Sequence, residues 1–246
     1  MSRKRLKTIG VLGGMGPEAT AYFFERLVRA ASARADQDHP PVIVYSLPRV
    51  PDRTGAILHG GPSPVPLILR GLETLRRAGA DFAVIPCVTA HYFMPRIASR
   101  SPLPVVSLLE ETLAEVRRLR PVPSAIGLVA TDGTVRSGLI SDLFEPAGIK
   151  VIAPSPRDQK RVMSAIYGRK GVKAGHTSGA PREAVVSVAR ELVRRGAGAV
   201  MAGCTEVPLV LRPSDLAVPL IEPMVIGARA ALRLSGASVR SLGQGI

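Results

Sequence analysis

The sequence has few of the residues on which several classes of protein depend. Its 246 residues include two cysteines, four histidines, no tryptophan and only 4% aromatic side chains. Two cysteines cannot supply the disulfide framework of a small secreted protein. The Cys and His side chains are also too few, at unsuitable spacing, for a metal site. The low aromatic content leaves no stacking platform for nucleic-acid bases.

Long apolar runs are also absent. No stretch approaches the roughly 18 uninterrupted apolar residues that a membrane span needs. The basic N-terminus precedes only a short apolar run, Ile9–Leu12, which is too brief for the core of a signal peptide. We therefore predict a cytoplasmic protein without membrane association. In such a reducing compartment, two free thiols are expected rather than a structural disulfide.

Acidic residues are scarce relative to basic ones, and the formal net charge is +14. Basic proteins often bind nucleic acid, so this function must be considered. However, the arginines are scattered over the faces of predicted helices, and no zinc finger or recognition helix is evident. We interpret the charge as a solvated basic surface and regard nucleic-acid binding as the weaker alternative.

Two similar segments, Asp81–Cys87 and Gly196–Cys204, dominate what is present. In each, an apolar run follows a predicted helix and ends at a cysteine, and the two cysteines are 117 residues apart. Ile9–Val11 and Ile126–Leu128 repeat at the same distance. Such runs are typical of buried parallel strands, and ligands bind beyond the carboxyl ends of these strands. The pattern predicts two equivalent halves, each with a cysteine at the ligand-binding edge of its sheet.

The order of the predicted elements repeats as well. It indicates an α/β fold with two pseudo-symmetric doubly wound parallel-sheet domains and the active site in the cleft between them. We predict a first domain of residues 1–107 plus 216–246 and a second of residues 108–215. The last strand and helix fit either unit, but the repeat favours a tail that crosses back to the first. After the turn Thr131–Thr134, the spacing predicts one helix through Leu139 and Leu143.

Two thiols facing each other across a cleft have a specific chemical use. Inverting the α-carbon of an amino acid requires removal of its proton from one face and delivery of a proton to the other. A thiolate can be the base and a thiol the acid. A single buried cysteine is by default a small hydrophobic residue. The duplicated spacing of Cys87 and Cys204 instead favours a catalytic pair.

The motifs around these cysteines also resemble those of a known family. The sequence is similar to the cofactor-independent aspartate/glutamate racemases, and in particular to their aspartate racemase branch. The matching pieces are Ile9–Thr20 (IGVLGGMGPEAT), Pro51–Thr54 (PDRT), Pro86–His91 (PCVTAH), Val172–Gly175 (VKAG) and Gly203–Glu206 (GCTE). The resemblance implies an amino-acid racemase that acts on a small acidic substrate, uses no pyridoxal phosphate or other cofactor, and forms a homodimer.

The resemblance also implies roles for individual residues. Cys87 and Cys204 would be the two proton carriers. Thr89 and Thr205 would bind the α-carboxylate or ammonium region of the substrate. A cation suits the side-chain carboxylate of an acidic substrate. The full set of expected substrate-binding residues is Met15, Arg53, Thr89, Lys173 and Thr205, with Arg49, Val88, His91 and Glu206 as possible supporting residues. His91 and Glu206 would either tune the thiols or only cap the following helices.

Val88 departs from the motif of the resembled family, which has asparagine at this position. Valine offers no hydrogen bond, so a polar group of the substrate would be left unpaired at a cost of roughly 1–3 kcal/mol. Backbone amides or Arg49 are the expected replacements; otherwise the substrate differs from aspartate. Two alternatives therefore stay open: a hydantoin racemase-like isomerase, and a catalytically weakened amino-acid-binding or regulatory protein.

A dinucleotide site is a further, weaker alternative. The segment Gly14–Ala19 formally fits Gly-x-Gly-x-x-Ala after a strand. Pro17, however, lacks an amide hydrogen that a pyrophosphate would use, and this reading explains neither the cysteines nor the repeat.

Overall fold

The computed structural model describes residues 5–241 and contains two parallel four-stranded sheets. The strand order is β2-β1-β3-β4 in the first sheet and β6-β5-β7-β8 in the second. The predicted α/β class with two doubly wound units is confirmed. The strands are β1 Ile9–Gly13, β2 Val42–Ser46, β3 Phe82–Val84, β4 Val105–Val106, β5 Ala125–Val129, β6 Lys150–Ile152, β7 Ala199–Ala202 and β8 Leu220–Ile221.

Helices surround both sheets. Pro17 occupies the first turn of the first helix, where its missing N–H costs nothing. No helix between residues 5 and 241 has the length and apolar character needed to cross a bilayer. The helices are α1 Pro17–Ala30, α2 Arg53–Leu58, α3 Val65–Arg77, α4 Met94–Ala98, α5 Leu108–Val116, α6 Asp132–Arg136, α7 Ser141–Phe144, α8 Pro156–Tyr167, α9 Ala180–Arg194 and α10 Pro223–Ser235.

The sequence repeat is reproduced in the pairing of the strands. Ile9 of β1 pairs with Phe82 of β3, and Ile126 of β5 pairs with Ala199 of β7. Each residue of the second pair lies 117 residues after its counterpart in the first pair, and the two cysteines are the same distance apart. The central strands of the two halves therefore share one register, and each cysteine follows its strand at an equivalent place.

Glycines in the two central strands explain why the repeat includes them. A Cβ atom on Gly10 would lie 3.0 Å from the Cβ of Ala80, and one on Gly127 would lie 2.7 Å from the Cβ of Leu192. Real Cβ atoms rarely approach other atoms so closely, so only glycine lets the neighbouring helix and loop pack against each central strand.

The C-terminal elements connect the two halves. Strand β8 pairs with β7 in the second sheet, whereas α10 packs against α1 and α5. Its buried residues Met224, Ala228 and Leu232 join the same apolar cluster as Phe23 of α1. The chain thus crosses from the second sheet to the first half after β8. The division into residues 1–107 plus 216–246 and 108–215 stays a prediction.

One predicted element is wrong. The segment after β5 is not a single helix through Leu139 and Leu143, because α6 ends at Arg136 and α7 begins at Ser141. Between them, Gly138 has a φ of 73°, a left-handed conformation that ends a helix. The break separates α6, which lies against the site, from α7.

Candidate active site

The two cysteines lie just beyond the carboxyl ends of β3 and β7. Both are free thiols, and they are only 4% and 5% exposed. They line one small space of about 10 Å³, which we call the inner cavity. All the predicted site residues except Arg49 and His91 line this cavity. Its lining consists of Met15, Arg53, Cys87, Val88, Thr89, Thr131, Tyr167, Lys173, Cys204, Thr205 and Glu206.

A larger space of about 300 Å³, the outer cavity, adjoins the inner one. Five residues line both, namely Met15, Arg53, Tyr167, Lys173 and Glu206. They form the boundary between the thiols and the more open space. Glu18, Pro48 and Asp52 are among the residues that line only the outer cavity.

Arg53 is the first residue of α2 and is placed by the cap of that helix. The carboxylate of Asp52 accepts a hydrogen bond of 2.6 Å from the backbone N–H of Gly55, which satisfies a free donor at the helix start. Arg53 is only 8% exposed. Its Nη atoms donate to the backbone carbonyls of Met15 (3.2 Å), Val50 (3.3 Å) and Pro51 (3.1 Å).

One nitrogen of this guanidinium has no hydrogen-bond partner. The buried Nε–H of Arg53 has no hydrogen-bond partner. Burial lowers the pKa of Arg53, but the neighbouring Cys87 and acidic groups outweigh burial and keep that pKa above its ordinary value. Arg53 therefore places a full positive charge beside Cys87 and offers an unused donor to a ligand carboxylate.

Glu206 organises the surroundings of the second cysteine. Cys204 Sγ donates to Glu206 Oε2 over 2.9 Å, Thr205 Oγ1 donates to the same oxygen over 3.3 Å, and Lys173 Nζ donates to Oε1 over 2.5 Å. Burial, followed by the negative charge of Glu206, raises the pKa of Cys204 well above its usual range, although Lys173 acts in the opposite direction. Cys204 is therefore a protonated thiol in this arrangement.

Lys173 and Tyr167 cover the thiols from the second half. Burial lowers the pKa of Lys173, but Glu206 and the thiols outweigh it, and the net shift is upward. Lys173 Nζ also lies 5.5 Å from the centroid of the Tyr167 ring. The Tyr167 hydroxyl donates to Asp52 Oδ2 over 2.9 Å and so reaches the first half of the molecule.

A cluster of buried threonines joins the halves on the side of Thr89. Its Oγ1 lies 2.9 Å from Thr134 Oγ1 and 3.2 Å from Thr131 Oγ1, both in the second half. Thr54 of α2 approaches Thr131 at 3.5 Å. A Cβ on Gly133 would lie 2.8 Å from Thr54 Oγ1, so a glycine is needed for this close contact between α2 and α6.

His91 has a supporting position outside the inner cavity. Its Nε2 accepts from the backbone N–H of Leu108, so Nδ1 carries the hydrogen and donates to the carbonyl oxygen of Cys87 over 2.9 Å. Burial lowers the pKa of His91 to about 4. A neutral His91 thus ties the cysteine loop to the start of α5 and has no free nitrogen for proton transfer.

Neither Val88 nor Arg49 supplies the hydrogen bond that the asparagine of the family motif would make. Val88 is 1% exposed and packs in a buried apolar cluster. It also lines the inner cavity. Arg49 is exposed and lines neither cavity. The free Nε–H of Arg53 is the donor that the structure offers instead.

The residues at the site that were not predicted include Asp52, Thr131 and Tyr167. Thr131 follows β5 at its carboxyl end, and that position is a usable signal because ligands bind there. Asp52 belongs to a matching motif, yet only its neighbour Arg53 was selected. Tyr167 ends α8 and carries no local signal. Within residues 5–241, no group of three or more His, Cys, Asp or Glu side chains is arranged to hold a metal ion.

Comparison with known proteins adds independent information. A family model described as Asp/Glu/Hydantoin racemase matches residues 12–231. A curated relative, the broad specificity amino-acid racemase RacX of Bacillus subtilis, is 25% identical over 91% of this chain and 96% of its own. A solved aspartate racemase from Picrophilus torridus is 29% identical, with a TM-score of 0.85, over 95% of this chain and 96% of its own. A putative Asp/Glu racemase from Yersinia pestis is 26% identical, with a TM-score of 0.75, over 94% and 99%.

Proposed function

Because the chain belongs to the Asp/Glu/Hydantoin racemase family, we propose that it racemises an acidic amino acid, aspartate or glutamate, with Cys87 and Cys204 as acid and base. No pyridoxal phosphate is needed in this chemistry, since the two thiols carry the protons. The observation that supports the proposal most is the inner cavity, which one free, buried thiol from each half lines.

In this proposal the two thiols have different roles. The guanidinium of Arg53 lies beside Cys87, and we take Cys87 as the base, a role in which a cysteine acts as its thiolate. Cys204 holds a proton and can act as the acid. Cys87 removes the α-proton from one face of the substrate, and Cys204 delivers its proton to the other face. The Cys204 thiolate that remains is balanced by Lys173.

The substrate groups find matching partners in the same cavities. The free Nε–H of Arg53 and the ammonium of Lys173 suit carboxylates, and the hydroxyls of Thr89 and Thr205 suit the α-carboxylate or ammonium group. Met15 contributes its backbone carbonyl to the position of Arg53. A side-chain carboxylate of the substrate would compete with Glu206 for the ammonium of Lys173.

A second candidate is a racemase with a wider range of amino acids. Two observations favour it: Val88 removes a polar contact, and Lys173 already has an anionic partner in Glu206. The similarity to a relative named a broad specificity amino-acid racemase agrees with this candidate. Since the outer cavity holds about 300 Å³, longer side chains than those of aspartate have space there.

We also propose that the protein is a cytoplasmic homodimer. Two free thiols suit a reducing compartment. Phe24 and Val28, one turn apart on α1, are 42% and 41% exposed and offer an apolar surface to a second copy. Light scattering coupled to size-exclusion chromatography tests the dimer, and replacement of both residues by serine should shift the protein towards the monomer.

Proton exchange in heavy water tests the racemase. The reduced protein is incubated in D2O, without pyridoxal phosphate, with L and D forms of aspartate, glutamate and a panel of neutral and basic amino acids, and loss of the α-proton signal is followed by NMR. We expect exchange with inversion for aspartate or glutamate. Exchange across the whole panel would instead favour the wide-range candidate.

The two cysteines serve as matched controls for each other. Cys87→Ala and Cys204→Ala should each lose inversion by about 10³-fold, because general acid–base catalysis supplies 10²–10⁴-fold. The Cys204→Ala protein keeps the Cys87 base and should still exchange the α-proton of one enantiomer. An absence of exchange for every amino acid, in folded and reduced protein, would refute the racemase and favour an amino-acid-binding protein.

A further inference from the structure

We propose that a surface cavity in the second half binds a small phosphate-bearing molecule, at a site separate from the two thiols. The cavity has a volume of about 320 Å³ and lies between α8, α9 and the loop that joins these helices. We call it the α8–α9 cavity. Its volume is of the order found for small-molecule sites in proteins.

Helix α8 separates this cavity from the proposed active site. Arg161, Ser164 and Ala165 line the α8–α9 cavity, and their spacing of three and four residues places them on one face of the helix. Tyr167 lies on another face and lines the inner and outer cavities. None of the described residues that line the α8–α9 cavity lines either of the other two. A ligand bound there would leave the space beside the thiols unoccupied.

The charged side chains of the cavity are all basic. Arg161, Arg169 and Lys170 line it, and none of its described lining residues is acidic. Arg161 Nη1 donates to Asp158 Oδ1 over 3.0 Å, but this pair is partly exposed and therefore weak. Arg169 and Lys170 are exposed, and neither side chain has a hydrogen bond or ion pair with another described residue. Three like charges around one space repel each other, so an anion bound among them would be stabilised.

The number of donors favours phosphate over carboxylate. A phosphate group carries a charge of about −1.5 to −2 and three acceptor oxygens, whereas a carboxylate carries a single charge. Arginine can bind phosphate through two parallel hydrogen bonds, and the hydroxyl of Ser164 is a further donor. Ala165, Pro181 and Ala184 form an apolar part of the wall, which suits the organic portion of a ligand such as a nucleotide.

The loop beside the cavity continues directly to Lys173. Gly171 donates from its backbone N–H to the carbonyl of Gly168 over 2.8 Å, and Ala174 donates to the carbonyl of Gly171 over 3.0 Å. The residues that would hold the phosphate therefore belong to the same hydrogen-bonded turns as the lysine of the proposed active site. A ligand that orders this loop lowers the entropy that a second ligand must lose at Lys173, and the two should bind with positive cooperativity. This link, unlike the site itself, rests on the proposed racemase function.

Isothermal titration calorimetry tests the site. Pyrophosphate, ADP and acetate are titrated into the reduced protein at about 0.15 M salt, where the Debye length is about 8 Å. We expect both phosphate compounds to bind with a Kd below about 1 mM and acetate to bind at least tenfold more weakly than either. Tighter binding of ADP than of pyrophosphate would identify an organic phosphate as the ligand, and equal affinities an inorganic one. Failure of both phosphate compounds to bind would overturn the proposal.

A pair of double variants separates a local site from the general charge of the protein. Arg169→Gln/Lys170→Gln should weaken binding of both phosphate compounds by about tenfold or more. Arg96→Gln/Arg100→Gln is the matched control, because it removes the same charge from two exposed arginines of the first half that do not line this cavity. Its affinity should stay within about twofold of wild type, since distant exposed charges are screened. An equal loss in both double variants would show that the phosphates respond only to the net charge of +14, and would overturn the proposal.

A third variant tests whether the anion instead occupies the proposed active site. Lys173→Met should keep the affinity for pyrophosphate within about threefold of wild type, because Lys173 lines the inner and outer cavities but not this one. A loss of binding in Lys173→Met, with normal binding in Arg169→Gln/Lys170→Gln, would place the anion beside the thiols and overturn the proposal.

Hydrogen exchange and kinetics test the link to Lys173. The phosphate compound that binds more tightly should slow amide exchange in residues 168–176 and lower KM for the racemised amino acid about threefold, and neither effect should occur in Arg169→Gln/Lys170→Gln. Normal binding with unchanged KM would refute the link. If the protein racemises no amino acid but the titrations give the expected affinities, the racemase proposal fails and the phosphate site stands.

Discussion

Replacing Lys173 by methionine tests whether the Lys173–Glu206 pair is a structural requirement of the site. Methionine has a similar length but carries no charge, so the Glu206 carboxylate would lose its ion partner. The Glu206 side chain is 4% exposed and that of Lys173 is 23% exposed. The carboxylate therefore cannot turn to water for compensation, whereas the ammonium could.

The magnitude follows from this difference in burial. Removing one partner of a buried ion pair costs about 3–5 kcal/mol. Because the lysine end is partly hydrated and Glu206 keeps its hydrogen bonds from Cys204 and Thr205, the lower end of about 3 kcal/mol applies. For a chain of this size, that loss corresponds to a decrease of roughly 6–12 °C in Tm.

The pKa of Lys173 determines how the stability difference between wild type and Lys173→Met should change with pH. In the folded protein, the pKa of Lys173 lies above its ordinary value of 10.5. Its contribution to stability is therefore complete below the pKa of the unfolded chain and is lost as the pH rises through the folded pKa. The free energies of unfolding of wild type and Lys173→Met should converge above about pH 10.5.

Urea unfolding followed by circular dichroism is the assay. Lys170→Met is the matched control, since Lys170 is an exposed lysine in the same loop. In a double-mutant cycle, Lys173→Met and Glu206→Gln together should cost at least about 2 kcal/mol less than the sum of the single changes. A cost below about 1 kcal/mol, as for a surface pair, or simple additivity would refute the reasoning.

Three further predictions concern the supports of the site. Because burial lowers the pKa of His91 from 6.5 to about 4, folding stability should fall by about 3 kcal/mol as the pH drops from 6.5 to 4; His91→Gln should flatten that part of the pH profile in urea unfolding. Gly133→Ala should lower the free energy of unfolding by about 1–3 kcal/mol in urea, because its Cβ would collide with Thr54. Gly148→Ala is the comparison: its Cβ would contact no other atom, so this variant reports only the backbone strain of a positive φ. Glu206→Gln should lower the pKa of Cys204, so that its alkylation begins at lower pH than in wild type; an unchanged profile would show that burial alone sets it.

The fold could be predicted from the sequence because the same pattern of strands occurs in it twice. Two apolar runs that end in cysteines, at the same spacing as two glycine-containing strands, defined the central strands of both sheets. Local signals failed where a single residue outweighed the apolar pattern. Gly138 interrupts the apolar spacing of Leu139 and Leu143 with a left-handed turn, and the predicted helix becomes two short ones.

The site was less accessible, since some of its contacts join segments far apart in the chain. Strand ends and motif matches selected the residues of the inner cavity except Thr131 and Tyr167. They did not indicate that Lys173 would pair with Glu206 or that Tyr167 would reach Asp52, because these contacts depend on how two loops meet across the cleft. His91 was predicted with two possible roles, and its hydrogen bonds to Cys87 and Leu108 favour the structural one.

The two halves of the fold are equivalent, but the charged residues beside their cysteines differ. Cys87 and Cys204 occupy equivalent positions, but two residues further on the first half has Thr89 and the second has Glu206. The threonine is tied to other hydroxyls, whereas the carboxylate holds the proton of its cysteine in place. The guanidinium of Arg53 lies beside the first thiol, whereas the second thiol donates to the carboxylate of Glu206, which also pairs with Lys173. In the proposed mechanism each inversion in one direction leaves Cys87 with the proton taken from the substrate and Cys204 without its own, so we expect Cys87 to lose a proton and Cys204 to regain one before the next turnover in the same direction.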